Sequence, residues 1–540
     1  MMRGLHLGGV VGSRGLRDCL VFSSDGQRAR CKSSATPKRG SGCTSSSEWE
    51  TVIGVEIHIQ LSAYTKIFSD APFRLPMHGD LPNSNVSPLD FAYPGTLPVL
   101  NEEVLRQGIR TAYAFGSNIA QVSTFDRKHY CWPDLPQGYQ ITQHFQPFAT
   151  GGFVSIGSTN PRSIGLVQLQ LEQDTAKTTQ EPGMTLLDHN RAGVGLLELV
   201  SAPELRSATD TADFCVKVQS ILRYLGSSTA SLEEGSMRCD VNVSVNRPGE
   251  PWGTRCEIKN LNTVRHIRHS IRSEVSRHIA LLEKGGRVMP ETRGYDPGRD
   301  TTYTLRRKET APDYRFMPDP DLPPLILSQT YLDEVRKTIP VLPDQHIARL
   351  VSAPYSLSRE SASMVAAERN TAEFFWDAVA EAERMVGSDT RVITEVLGNL
   401  MVQEIPHLLD HHGVTHGTSG VLPGQVASVV AREVQGKVTR RVAKDILRVM
   451  YDGHTGTADE IIQQRGIAVV SDKEELSSII DAVLAENADA VATYRTAPPP
   501  KAKRLVKFFV GAVMKKTKGQ ADAVSVHGLL VNAHLPKRDL

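Results

Sequence analysis

The sequence predicts an α+β protein, and three features lead there. Between Thr51 and about Pro324, runs of strictly alternating polar and apolar residues are separated by turns rich in Pro and Gly. In the same region two longer stretches, Leu205 to Leu225 and Val264 to Lys284, carry helical patterning. After Leu325 the chain turns helical throughout. Strands and helices interleaved with long irregular connections fit one large α+β domain built on antiparallel sheet, followed by helical modules.

The first segment stands apart from the rest. Residues 1 to 47 hold eight basic side chains against Asp18 and Asp25, and are rich in Ser and Gly. A basic, Ser-rich, acid-poor leader is the composition of a mitochondrial transit peptide, which is the expectation for residues 1–48. The apolar run Leu7 to Gly12 is short for a secretory signal, and bases flank it on both sides. Of 61 basic and 60 acidic residues in the chain, subtracting 8 and 2 leaves 53 against 58. The remaining body is mildly acidic, so contact with nucleic acid needs a local patch rather than a global field. No run of about 18 apolar residues occurs, and no membrane span is expected. Outside the leader, Cys131, Cys215, Cys239 and Cys256 form no CxxC pair, which points away from a zinc ribbon or disulfide framework.

The strands of the first domain carry the chemistry. In Val55-Glu56-Ile57-His58-Ile59-Gln60-Leu61 the polar residues Glu56, His58 and Gln60 share one face, because successive strand side chains point to opposite sides. The same alternation recurs from Val167 to Glu172 and from Arg238 to Val245, with shorter versions at Cys256 to Lys259 and Leu196 to Val200. A sheet with one solvated face alternates in this way too. Here, however, the polar side offers Glu56, His58, Glu172, Asp240 and Glu257 with amides between them and few bases. If the strands are neighbours, the carboxylates crowd, which requires a cation or bound protons. Oxygen ligands with one imidazole suit Mg²⁺ or Mn²⁺ better than zinc. No P-loop or kinase-type Gly-rich loop is present. If ATP binds, its phosphates need metal and side chains such as Lys177, Arg191 and Lys259.

The helical half begins with Arg359 to Arg369, Ala372 to Val386 and Val392 to Ile405, then Gln425 to Val449 around Gly436. Asp452 to Thr457 looks like a linker, and Ala458 to Leu540 like a small helical tail. Residues 490 to 521 contain no acid but include Lys503, Arg504, Lys507, Lys515 and Lys518. Leu505, Phe508, Phe509, Ala512 and Val513 mark a buried helical face, with Lys503, Arg504 and Lys507 roughly opposite. A basic face in a mildly acidic protein suits a phosphate backbone.

These motifs, in their order, resemble the B subunit of the tRNA-dependent glutamyl-tRNA amidotransferases. The resemblance rests on Gly54 to Leu61, Asp126-Arg127-Lys128-His129-Tyr130 and Pro133 to Gln143. It continues through Leu171-Glu172-Gln173-Asp174 with Lys177, and Asp188-His189-Asn190-Arg191-Ala192-Gly193 leading to Glu198. Met237 to Asn242, Glu257 to Asn262, and Asp313 to Pro318 with Asp321-Leu322-Pro323 close the domain. Lys515 and Lys518-Gly519-Gln520-Ala521 match the family tail.

The resemblance implies a cradle-like catalytic domain over 49–335, a helical domain over 336–457 and a YqeY-like, tRNA-binding tail over 458–540. It implies ATP-dependent phosphorylation of the glutamate carboxylate on mischarged Glu-tRNA(Gln), then displacement of phosphate by ammonia. No amidase or glutaminase motif occurs here, so ammonia must come from elsewhere; the resemblance implies an A subunit as its source and a heterotrimer with A and C subunits, expected in the mitochondrial matrix. A tRNA-binding scaffold without chemistry is the alternative. By motif, Glu56, His58, Glu172 and Glu198 form the metal-bearing catalytic cluster, with Asp240 and Glu257 beside it and Mg²⁺ as the metal. The chain departs from the family at Gln173, usually acidic, at Ala176, usually Gly, at His189, usually aromatic, and at Gly195, usually Pro.

Overall fold

The computed structural model describes residues 48–73, 81–157, 160–307, 313–387, 390–465, 473–517, 521 and 523–535. The expected leader therefore lies outside the described residues, apart from Glu48.

The elements that build the first domain are β1 (Glu50–Gln60), α1 (Glu102–Ala114), β2 (Asp126–His129), β3 (Tyr139–Thr142), β4 (Arg162–Gln173), β5 (Lys177–Glu181), β6 (Met184–Asp188), β7 (Gly195–Ser201), α2 (Ala208–Leu225), β8 (Met237–Asn246), β9 (Cys256–Ile258), α3 (Val264–Glu283), β10 (Glu291–Asp296) and β11 (Thr301–Arg307). A ten-stranded sheet runs in the order β11-β10-β9-β8-β1-β7-β4, then two short strands at Ala149–Thr150 and Asn118–Ile119, with Phe153–Ile156 also paired to β4. Its pairs are antiparallel except β9 with β10. A fold of mixed α+β class with mainly antiparallel sheet is thus what the alternation indicated.

The sheet has two unlike faces. Ile53, Val55, Ile57 and Ile59 of β1, Leu169 and Leu171 of β4, and Val241 and Val243 of β8 are buried in one apolar cluster with Ile109 of α1, Phe214 and Leu222 of α2, and Ile267 and Ile271 of α3. Each such side chain contributes about 1.5–3 kcal/mol by leaving water. The Sγ atoms of Cys215 on α2 and Cys239 on β8 lie 3.8 Å apart, which shows α2 seated on this face. With helices covering the apolar side, the polar side of the same strands is left for chemistry.

Local signals set the helix ends. Ser207 caps α2 by accepting from the Asp210 amide, and Thr263 caps α3 by accepting from the His266 amide. Gly226 ends α2 at φ 70°, a left-handed cap that costs glycine nothing.

Two further apolar clusters follow. The second holds α4 (Arg369–Val386), α5 (Thr390–Gln403), α6 (Pro423–Val434) and α7 (Arg440–Tyr451). The stretch read as helical from Gln425 to Val449 breaks into α6 and α7 at Gly436, where φ is 69°. The helix Ala458–Arg465, expected to open the tail, packs instead in this second cluster through Ala458 and Ile461. The Ala458 amide donates to Ser428 Oγ at 2.8 Å, and Asp459 pairs with Arg432. The third cluster lies between Leu476 and Leu530 and includes Val506, Phe509 and Val513 of α8 (Pro499–Lys516). Pro498 caps the start of α8, and Pro499 and Pro500 occupy its first turn, where a missing N–H is tolerated. The buried seam of α8 is Ala502, Val506, Phe509 and Val513, whereas Phe508, assigned to it from spacing, is exposed. No helix among the described residues is long and apolar enough to cross a membrane.

Candidate active site

The register of three strands assembles the site. His58 of β1 stands opposite Glu198 of β7, and Glu198 stands opposite Gln170 of β4. Nε2 of His58 lies 3.2 Å from Glu172, 3.7 Å from Glu56 and 3.9 Å from Glu198. One imidazole is therefore ringed by the three carboxylates that the motifs had grouped with it. Glu172 is buried, Glu198 nearly so, and Glu56 is the most open of the three.

Neutral donors hold the carboxylates in place. The Thr142 hydroxyl donates to Glu172 at 3.2 Å, and the Gln170 amide donates to Glu198 at 2.6 Å and to the Thr142 oxygen at 3.1 Å. Burial alone pushes the Glu198 carboxyl up, the neighbouring charge of Glu172 adds to this, and the result is about 8. Burial would lower the His58 imidazole, but its hydrogen bond to Glu172 and the surrounding carboxylates lift it to about 9. Glu172 is held below its ordinary value against burial by the hydrogen bond from His58. In the bare protein an imidazolium and a shared proton relieve like-charge crowding. Ligand atoms of Glu56, His58 and Glu198 lie within 4.8 Å of one another, which fits a single hard cation.

Asp240 and Glu257 form a separate group around Lys259. Lys259 Nζ bonds Asp240 and lies 3.2 Å from Glu257, and Thr292 donates to Glu257 at 3.1 Å. Glu56 links the two groups, because its Cα partner across the β1–β8 pair is Asp240. Lys259 was expected to contact phosphate, but its charge is balanced within the sheet, and the two carboxylates raise its affinity for its own proton despite burial. Arg191, the second such candidate, donates to the carbonyls of Thr175 and Ala176 at 2.8 Å each and lies 3.7 Å from Asp174. It braces the loop after Glu172. Lys177, the third, is exposed at the start of β5, on a two-stranded hairpin with β6 that, among the described residues, is separate from the main sheet.

Pattern reading missed three participants. Asp174 is buried and binds Arg238 at 2.6 Å and the Gln60 amide at 3.0 Å, tying β1, β4 and β8 together. The charge of Lys128 on β2 lowers both Glu172 and Glu198, making it a cation beside the cluster. Thr142 supplies the hydroxyl on Glu172. All three sit inside the motifs quoted above, but nothing local marks them as partners. Of the departures, Gln173 and Ala176 are buried, and the Ala176 amide donates to the Asp134 carbonyl. In the tail, Lys503, Arg504, Lys507 and Lys515 are exposed on α8, and Lys518 lies outside the described residues.

A mainly antiparallel sheet thus carries a carboxylate–imidazole cluster on its polar face and is followed by helical modules. Residues 51–333 match the family model of the GatB/GatE catalytic domain, and residues 383–533 match that of the GatB domain. The chain is 41% identical over 487 residues to the B subunit of the aspartyl/glutamyl-tRNA(Asn/Gln) amidotransferase from Rhodopseudomonas palustris (strain BisB5), covering 89% of this chain and 96% of that one. The protein of the same name from Methylobacterium sp. (strain 4-46) is 41% identical, with coverages of 89% and 95%. That from Xanthobacter autotrophicus is 39% identical over 499 residues, with coverages of 92% and 97%. The chain belongs to the GatB family, the B subunits of tRNA-dependent amidotransferases.

Proposed function

We propose that this protein uses ATP to phosphorylate the side-chain carboxylate of glutamate mischarged on tRNA(Gln), preparing it for amidation. The observation that carries this reading is His58 ringed by Glu56, Glu172 and Glu198 at 3.2 to 3.9 Å on an open sheet face. A carboxylate oxygen of the substrate attacks the γ-phosphorus of ATP, and the bond to the β-phosphate oxygen breaks to release ADP. Ammonia then attacks the acyl carbon, phosphate leaves, and one proton is lost to give the amide. Glu56, His58, Glu172 and Glu198 are the residues that would hold Mg²⁺, which when bound supplies charge neutralisation for the transferring phosphoryl group. Thr142 and Gln170 fix the carboxylate orientations, and Lys128 adds a positive charge at the edge of the cluster. A scaffold without chemistry would leave this crowding of acids unexplained.

Ammonia comes, in this reading, from glutamine hydrolysed in an A subunit, with a C subunit completing a heterotrimer. The composition of residues 1–48 supports a mitochondrial matrix location. The relatives' names include aspartyl-tRNA(Asn), and the same phosphorylation chemistry would serve an aspartyl carboxylate. The test is ADP formation by the purified complex. It should require mischarged tRNA, and hydroxylamine in place of ammonia should trap the hydroxamate on the tRNA. ADP formation indifferent to the tRNA's amino acid would overturn the reading.

A further inference from the structure

Beside the carboxylate cluster lies a group of rings that the core does not use. His144 and Phe316 stack with centroids 3.8 Å apart and planes 8° from parallel. Phe145 meets His144 at 5.1 Å and Phe316 edge-on at 6.3 Å, and Tyr314 meets Phe316 at 6.0 Å. None of the four belongs to the buried cluster of this domain. His144 is exposed, and Phe145 is 57% exposed. Tyr314 and Phe316 are half-buried beside them. A single exposed ring is ordinary, but exposed rings in contact with half-buried ones make a contiguous aromatic patch that marks a binding surface.

The backbone holds these rings firmly. The Phe145 amide donates at 2.8 Å to the buried Asp126. The His129 amide donates at 2.8 Å to the Tyr314 carbonyl, and His129 Nδ1 lies 2.9 Å from the Arg315 carbonyl, which accepts from it. Arg315, between the two rings, has φ 44°, a left-handed conformation uncommon outside glycine. Strain held by surrounding bonds is a feature of ligand-contacting segments.

The set is continuous with the active site. Thr142, whose hydroxyl meets Glu172, precedes His144 by two residues on the same strand exit. Lys128 lies 5.0 Å from the Tyr314 ring centroid while its charge reaches Glu172 and Glu198. The rings thus lead outward from the cluster.

We propose that His144, Phe145 and Phe316 form a stacking platform for the unpaired 3′-terminal nucleotides of the aminoacylated tRNA, with the exposed Arg315 beside their phosphates. This deepens the function proposed above and rests on it. The amino acid is esterified to the terminal ribose, so a glutamyl carboxylate at the cluster leaves its own terminal base to be received next door. Unpaired bases are bound by stacking on aromatic side chains, which tolerates any base. Arg315 pairs only loosely with Asp313, at 3.6 Å, and both are exposed.

The test uses the assembled amidotransferase complex and tRNA bearing 2-aminopurine at its 3′ terminus, with a second fluorophore on the tRNA body. Binding read from the body label should be accompanied by quenching of 2-aminopurine as it stacks. Phe145→Ala and the Phe145→Ala/Phe316→Leu double variant should lose the quench and raise KM for mischarged tRNA roughly 5- to 100-fold. Phe145→Tyr should keep both near wild type, and thermal melting should show all variants folded. Binding without quenching in the wild-type complex would overturn the platform, as it would if a partner protein covers the rings. An unchanged quench in the folded double variant would also overturn it. No binding of the body-labelled tRNA would instead sink the function itself, so the two failures are distinct.

Discussion

Nε2 of His58 stands 3.2 Å from Oε1 of Glu172, although β7 runs between their strands. The contact is diagonal: His58 is opposite Glu198, and Glu198 is opposite Gln170, two residues before Glu172. Two long side chains on the same face thus reach across the intervening strand of a twisted sheet. The same convergence forces like charges together, and the behaviour of the site follows from it.

Replacing Glu56 with Gln should cripple ATP-dependent activation. Glutamine keeps the shape and one acceptor oxygen but loses the charge that attracts a hard cation. The loss should be on the order of 10²-fold or more in rate. Ile57→Val, on the buried face of the same strand, should cost only about 0.5–1.5 kcal/mol of stability and leave activation near normal. The assay is ADP release dependent on mischarged tRNA, with folding checked by melting. Near-wild-type release by a folded Glu56→Gln complex would remove this residue from the site.

Mg²⁺ affinity should climb between pH 7 and 9. Without metal, His58 is raised to about 9 and Glu198 to about 8, so both hold protons near neutrality. A raised imidazole stabilises the metal-free fold fully below its ordinary value near 6.5 and loses that contribution as pH passes about 9. Metal requires the neutral imidazole and ionised carboxylates, so binding must release protons. Calorimetry in two buffers of different ionisation enthalpy measures the release. Affinity flat with pH, and no proton release, would contradict it.

Glu274 should govern acid stability of the domain. It is fully buried, bonds Arg277 at 2.6 Å, His278 at 2.9 Å and Thr302 at 2.7 Å, and lies 3.1 Å from Arg293. Burial alone would raise its carboxyl, but the hydrogen bonds from His278 and Arg277 hold it far below the usual range. A depressed carboxyl stabilises the fold above the unfolded value near 4.3, and the contribution fades as pH falls below that. Glu274→Gln should cost about 3–5 kcal/mol at pH 7 by stranding buried cations. The gap from wild type should narrow below about pH 4, as read by denaturant titration. An equal gap at both pH values would count against this role.

Changing Lys503, Arg504 and Lys507 to Ala should weaken tRNA binding and flatten its salt dependence. All three are exposed on α8, away from its buried seam. The log–log slope should fall by up to about 2–3 if each touches phosphate. An unchanged slope would assign this face to solvent or to a protein partner.

The purified single chain should not amidate Glu-tRNA(Gln) with glutamine as donor, because it carries no glutaminase or amidase motif. Amidation by the chain alone would refute the division of labour.

Which residues share a strand face was legible in the sequence, since that follows from a period of two within one strand. Glu56 with His58, the apolar backs of β1, β4 and β8, the α+β class, the end of α2 and both ends of α3 were readable from neighbours a few positions apart, whereas the start of α2 falls at Ala208 and not at Leu205, which bridges to Ile53 of β1. Which faces meet was decided only by tertiary structure. Strand order placed Glu198 against His58 and left Asp240 and Glu257 to Lys259. It also turned Arg191 onto the loop carbonyls and brought Asp174 to Arg238. On α8, Val506 and Phe508 lie about 160° apart, on opposite flanks of the apolar arc through Leu505, Phe509 and Val513, and only packing against the neighbouring helices decided that the Val506 flank is the buried one. Pairing across a sheet depends on register between segments far apart in the chain, and no local period encodes that register.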